Sequence, residues 1–155
     1  GQEKGHRSGT ENPAALAGFA AAARAAATDM AARNAGIAAL RDALEAGMRA
    51  VTNDIVIHGS EVERVANTSF FSLPGLKSET GQIAFDLEGI ALSAGSACSS
   101  GKVGQSHVLT AMGFDATLGG LRVSLGPGSV QADVDRFLAA FSRIASRRRV
   151  TGNAA

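Results

Sequence analysis

A single thiol stands in the run Ser93-Ala94-Gly95-Ser96-Ala97-Cys98-Ser99-Ser100-Gly101-Lys102. Its neighbours have almost no side-chain bulk and two glycines bracket it, so the segment has little with which to pack Cys98 into a core, and it can move. Lys102 favours the thiolate, the form that attacks electrophiles. The alternative is a buried structural cysteine, the usual fate of a lone one; the polar flanks weigh against it.

Other chemistries for this loop fit less well. A phosphate-cradling P-loop needs four residues between its glycine and Gly-Lys, then Ser or Thr. Here five residues separate Gly95 from Gly101, and Val103 follows the lysine. A Cys–His pair would join Cys98 to His6, His58 or His107, but no family signature surrounds the cysteine for such a pair. The three histidines are scattered without the short spacing of a metal site, so no metal is expected.

Two further segments carry groups suited to anions. Gln2 to Thr10 presents Arg7, Ser8 and Thr10 just before a helix start, where hydroxyls and backbone N–H groups can hold an anion. A flexible leader is the alternative. Arg122 lies within Leu121-Arg122-Val123-Ser124-Leu125, an alternating strand whose guanidinium faces one side of a sheet. There it either grips a carboxylate in bidentate fashion or faces solvent.

Composition bounds what surrounds these groups. The 155 residues suit one domain of ordinary size, and 45% are apolar, enough for a sizeable core. With no Trp or Tyr, that core must be built from Phe, Leu, Ile, Val and Ala. Fifteen Lys+Arg against fourteen Asp+Glu leave a formal charge of +1, which argues against coating nucleic acid or an anionic membrane. One cysteine excludes an internal disulfide framework. The N-terminus shows no signal-peptide pattern, and the Ala-rich run from Pro13 is interrupted by Arg24, so a cytoplasmic, reducing location without a membrane span is expected. The chain begins without Met, as a processed or truncated piece would.

The elements that must position the candidates follow from periodicity. Asn12-Pro13 reads as a cap and first helical residue, opening an Ala-rich helix to about Arg33. Asn34-Ala35-Gly36 is expected to break it, before a second helix striped by Ile37, Leu40, Leu44 and Met48. Strands are expected from Val51 to Ile57, from Val65 to Leu73, at Ile90-Ala91-Leu92 and at Leu121 to Leu125. Helices are expected from Ser78 to Leu87, with Ile83, Ala84 and Leu87 inward, from Ser106 to Met112, and from Ser129 onward through Val130, Val134, Phe137, Leu138, Phe141 and Ile144. Strands alternating with helices mean an α/β arrangement, helices against a small sheet.

Taken in chain order, these segments resemble the pyridoxal-phosphate-dependent cysteine desulfurases of the NifS/IscS type, within the class V aminotransferase superfamily. Gln2-Glu3-Lys4-Gly5-His6-Arg7-Ser8-Gly9-Thr10-Glu11-Asn12 is similar to the family's Gln/His-Glu-x-Gly-x-Arg-Ser-Gly-Thr segment. Ser93 to Lys102 with Ser106-His107-Val108-Leu109 is similar to its active-site cysteine loop and following helix. Leu121-Arg122-Val123-Ser124-Leu125-Gly126 is similar to its late Arg-x-Ser-Leu-Gly strand.

The resemblance implies roles. Cys98 would attack the sulfur of L-cysteine, becoming a persulfide and releasing L-alanine. Arg122 would bind the substrate carboxylate, and Thr10 the pyridoxal 5'-phosphate (PLP) phosphate of the neighbouring subunit in a homodimer. Sulfur would pass to an acceptor or iron–sulfur scaffold protein. The family's Schiff-base lysine lies upstream of the Gly-Gln-Glu segment, and Lys4, Lys77 and Lys102 do not match it. The resemblance therefore covers the later part of the enzyme: residues 1–33 as the end of the large PLP-binding domain with a connecting helix, 34–149 as the C-terminal small domain, 150–155 as a disordered tail. Alone, this chain would be inactive. A selenocysteine lyase or other class V member, and a non-catalytic module that docks a sulfur acceptor, are the rival readings.

Overall fold

The structure, a computed structural model, describes residues 2–95, 107–115 and 119–148. The chain divides into two compact units, Gly1–Arg33 and Asn34–Ala155. The Cys98 run from residue 96 onward, the Ser106 cap and the tail at 150–155 lie outside the described residues.

In the first unit, helix α1 (Pro13–Thr28) starts as its sequence dictates, with Asn12 Oδ1 accepting from Ala15 N–H at 3.0 Å. It ends sooner than the Ala-rich run suggests. Asp29 leaves helical geometry at φ −120°, ψ 23°. Thr28 Oγ1 donates to Arg24 O and Arg33 Nη2 to Ala26 O, so side chains satisfy carbonyls of the last turns. Helix α2 (Met30–Val51) then runs unbroken through Asn34-Ala35-Gly36, where a break was expected. A mid-helix glycine costs only about 1 kcal/mol relative to alanine, and burial of Ile37, Leu44 and Met48 on one stripe outweighs it.

The second unit is built on a four-stranded antiparallel sheet of order β1-β2-β4-β3, from β1 (Val56–Ile57), β2 (Thr68–Ser72), β3 (Ser93–Ala94) and β4 (Leu121–Ser124). The first two strands are shorter than the apolar runs that announce them. β3 falls later than the expected Ile90-Ala91-Leu92, because Ile90 and Leu92 turn into the core instead of pairing. The remaining helices are α3 (Ser78–Leu87), α4 (His107–Ala111) and α5 (Gln131–Arg147).

One sheet face carries the core. Phe71 and Leu121, opposite each other on β2 and β4, meet Leu44 and Met48 of α2, Phe85 of α3, and Val134, Phe137, Phe141 and Ile144 of α5. Lacking Trp and Tyr, the chain fills this space with four phenylalanines. Phe85 stacks on Phe137 at 5.0 Å, and Phe71 meets Phe137 and Phe141 edge-on at 6.3 and 5.9 Å. Each such ring stabilises the fold by roughly 1.5–3 kcal/mol. Phe85 also decides how α3 faces. Ile83 and Leu87, expected inward, are 62% and 83% exposed, because each lies two residues, about 200°, from the ring that the core takes. The buried face is Ser78, Gly81 and Phe85. On α5, Val130 stays exposed at the cap, where its N–H donates to Asp133 Oδ2 at 2.9 Å.

Candidate active site

Side chains alternate along β4, so Leu121 entering the core sends Arg122 to the other sheet face. Residues directly opposite on antiparallel strands share a face. Arg122 is opposite Phe70 of β2 on one side and Ser93 of β3 on the other. The guanidinium therefore stands between an aromatic ring and a hydroxyl. Its Nη2 reaches Ser93 Oγ at 3.4 Å, while Nε is buried with no hydrogen-bond partner among the described residues.

Among the described residues no carboxylate pairs with Arg122, although Arg7, Arg41, Arg64, Arg143 and Arg148 each hold one. A half-buried guanidinium with an unsatisfied donor is a costly arrangement unless a ligand completes it. A cavity of about 200 Å³ lies against it, lined by Ala91, Leu92, Ser93, Arg122 and Ser124. That is below the roughly 300 Å³ at which pockets for drug-sized ligands begin, and of the order a small amino acid needs. The cavity gives a small carboxylate a place beside the guanidinium.

The same register fixes the end of β3 beside Arg122: Ala94 pairs with Leu121, and Gly95 N–H donates to Gly120 O at 2.8 Å. Cys98 and Lys102 themselves lie outside the described residues.

The glycine pair that anchors Gly95 is held from outside. Gly119 sits at φ +66°, a conformation that favours glycine, and a Cβ on Gly120 would meet Phe70 Cζ at 2.3 Å. Ser72 Oγ donates to Gly119 O in a short contact. That oxygen also lies 2.6 Å from His58 Nε2. Ser72 has one proton and spends it on the carbonyl, so His58 must carry its proton on Nε2 and donate. The imidazole is 4% exposed, 5.1 Å from Phe70 and edge-on to Phe114 at 4.5 Å, with Nδ1 bare. Burial pushes its pKa below the ordinary value, so it is neutral.

His58 entered the sequence reading only as a possible partner of Cys98 or a metal. The structure gives it Ser72 instead, and no cluster of metal-binding side chains exists among the described residues. Nothing in the sequence could have paired residues 58 and 72, since the link depends on the β1–β2 register, in which Ile57 faces Phe71.

In the first unit, Arg7 turns inward. Nε donates to Glu3 Oε1 at 2.8 Å, Nη1 to Gly9 O at 2.7 Å, and Nη2 pairs closely with Glu11. It clasps its own segment and has little left for an anion. Thr10 is exposed, and its hydroxyl has no hydrogen-bond partner among the described residues. No described helix is long and apolar enough to cross a membrane.

The family model described as aminotransferase class-V matches residues 1–137. An IscS-like cysteine desulfurase of Mycobacterium tuberculosis is 39% identical over 152 residues, covering 96% of this chain and 39% of the relative. The cysteine desulfurase NifS of Azotobacter vinelandii is 37% identical over 139 residues, covering 88% of this chain and 35% of the relative. The X-ray structure of a NifS-like protein from Rickettsia africae superposes with a TM-score of 0.80 at 32% identity, over 94% of this chain and 38% of that one. The chain thus spans under two fifths of the length of these relatives.

Proposed function

The chain belongs to the class V aminotransferase family, and on that premise we propose that it is the later part of a cysteine desulfurase that converts L-cysteine to L-alanine and passes the sulfur on. In this reading Gly1–Arg33 is the end of a larger PLP-binding domain and the unit from Asn34 is the small domain bearing the reactive thiol. The observation that carries it is Arg122: a half-buried guanidinium without a carboxylate among the described residues, paired across the strand with the segment that enters the Cys98 loop.

The cofactor's fit to this chain is partial. Thr10 offers an exposed, unengaged hydroxyl of the kind that donates to a phosphate oxygen, in a segment that Arg7 keeps in shape. It would contact the PLP of the partner subunit in a homodimer. Lys4, Lys77 and Lys102 do not match the family's Schiff-base position, so the covalent attachment belongs to the remainder of the enzyme. When bound, PLP supplies the electron sink that lets the substrate's Cβ–Sγ bond break with its electrons left on carbon.

This chain's residues do the rest. Arg122 grips the substrate carboxylate at two nitrogens and fixes the amino acid's orientation. The Cys98 thiolate attacks the substrate Sγ. A new S–S bond forms as Cβ–Sγ breaks, Cβ takes up a proton to give alanine, and Cys98 is left as the persulfide. A thiol on a loop of small residues can enter the site and then leave it to meet an acceptor thiol or an iron–sulfur scaffold. A reducing, cytoplasmic setting suits that chemistry.

The test is Cys98→Ala in the protein that contains this chain. Alanine and persulfide production should stop while the cofactor's visible absorbance stays intact. Unchanged turnover would remove Cys98 from the reaction, and loss of the absorbance would assign it a structural role.

A further inference from the structure

We propose that His58 is a positioning residue for Arg122, acting through Ser72 to fix the Gly119–Gly120 link from which both Gly95 and Arg122 are set. The proposal rests on the reading of Arg122 given above for its catalytic consequence, although not for its structural one.

Two consecutive glycines have no side chains with which to anchor themselves and have the most conformational freedom to lose. This pair nevertheless has two fixed tasks. Gly120 O receives the Gly95 N–H, which pins the first residue after β3. Gly120 also precedes β4, so its position sets where Arg122, two residues on, stands between Phe70 and Ser93.

The pair must therefore be held by neighbours, and His58 touches both of the main ones. Its Nε2–H donates to Ser72 Oγ at 2.6 Å, which commits the serine's own proton to Gly119 O. Its ring lies 5.1 Å from Phe70, the ring that occupies the space where a Gly120 side chain would be. Without the imidazole N–H, the serine hydroxyl is free to rotate away from the carbonyl, and Phe70 loses one wall.

The chemistry identifies the variants. A glutamine at position 58 can bring an amide N–H to the place of Nε2; a leucine fills volume with no donor; Ser72→Ala removes the relay with minimal change of shape. Amide hydrogen exchange on the 155-residue chain reads the structural claim. Gly95 should exchange about tenfold faster in His58→Leu and Ser72→Ala, as expected for loss of one buried hydrogen bond. The Ile90 amide, bonded to Phe85 O, should change much less, and His58→Gln should stay close to wild type at both. Equal acceleration at Gly95 and Ile90, or none at Gly95, would overturn the proposal. Should His58→Leu fail to fold, Ser72→Ala and His58→Gln decide it.

The catalytic consequence is read in the protein that contains this chain. His58→Leu should raise KM for L-cysteine more than it lowers kcat, with His58→Gln restoring both. If exchange at Gly95 responds but wild type yields no alanine from cysteine, the positioning role stands and the desulfurase reading falls. If wild type turns over cysteine and the Leu variant matches it in KM and kcat, the catalytic part of the proposal falls.

Discussion

Glu45 of α2 gives the most quantitative test of how the second unit is held together. Its side chain is 4% exposed, and Arg64, itself 19% exposed, donates to both carboxylate oxygens at 2.6 Å. Burial, the largest single influence, would raise the carboxyl's pKa. The hydrogen bonds and charge of Arg64, with smaller help from Ser69 and Arg41, overcome it and hold the pKa below the ordinary 4.5. Replacing Arg64 with Met keeps an apolar stem of similar length but leaves a buried, unpaired carboxylate. Breaking such a pair costs about 3–5 kcal/mol. The lower figure applies here, because Arg64 is partly solvated and its loop can admit water. With an unfolding entropy of about 2.1 cal/mol/K per residue over roughly 120 residues, ~3 kcal/mol lowers Tm by about 12 °C. Thermal unfolding of the chain at pH 7 measures it.

The effect of pH has a definite direction. In wild type the folded pKa is depressed, so the Glu45 contribution is full above pH 4.5 and is lost as pH falls through the folded value. In Arg64→Met, burial is unopposed and the pKa rises, so acid relieves the penalty. The two melting curves should converge between pH 7 and pH 4, and Glu45→Leu combined with Arg64→Met should recover most of the loss. A Tm within about 2 °C of wild type at pH 7, or a gap that does not narrow with acid, would refute the reasoning.

Three further expectations follow. Gly120→Ala puts a methyl against Phe70 at 2.3 Å; it should destabilise by about 1–3 kcal/mol and speed exchange at Gly95, and a neutral Tm would mean Phe70 moves aside freely. His58 should make the unit acid-sensitive: its native pKa is depressed, so stability is unaffected above the unfolded value of 6.5 and falls below it, by up to about 1.4 kcal/mol per pH unit until the native pKa is reached. His58→Gln should lack that slope in chemical unfolding between pH 7 and pH 5.5. Arg122→Lys keeps the charge but loses the fork, and in the protein containing this chain it should raise KM for cysteine by about 10- to 100-fold; an unchanged KM would release Arg122 from carboxylate binding.

Much of this was legible in the residue pattern, for physical reasons that can be named. The helix at α5 was visible because its apolar residues recur at three and four, and the core takes Val134, Phe137, Phe141 and Ile144 from that face. Arg122 was placed on the sheet because Leu121 and Val123 alternate around it. What failed depended on competition between neighbours. Ile83 and Leu87 look as apolar as Phe85, yet only one face of α3 can meet Phe137, and the largest ring took it. Gly36 looks like a helix stop, but the cost of one glycine is small beside a stripe of buried side chains. The His58–Ser72–Gly119 chain was invisible because it spans residues brought together only by strand register.

The central claim is that the thiol at position 98 carries the sulfur, and mass spectrometry of that cysteine measures it. The protein containing this chain, with PLP, is incubated with L-cysteine, alkylated, and digested to the peptide bearing Cys98. The peptide should gain the mass of one sulfur atom in step with one equivalent of alanine, and reduction should remove it. Alanine formed with Cys98 unmodified, or the added sulfur found on a peptide other than the one bearing Cys98, would contradict this assignment.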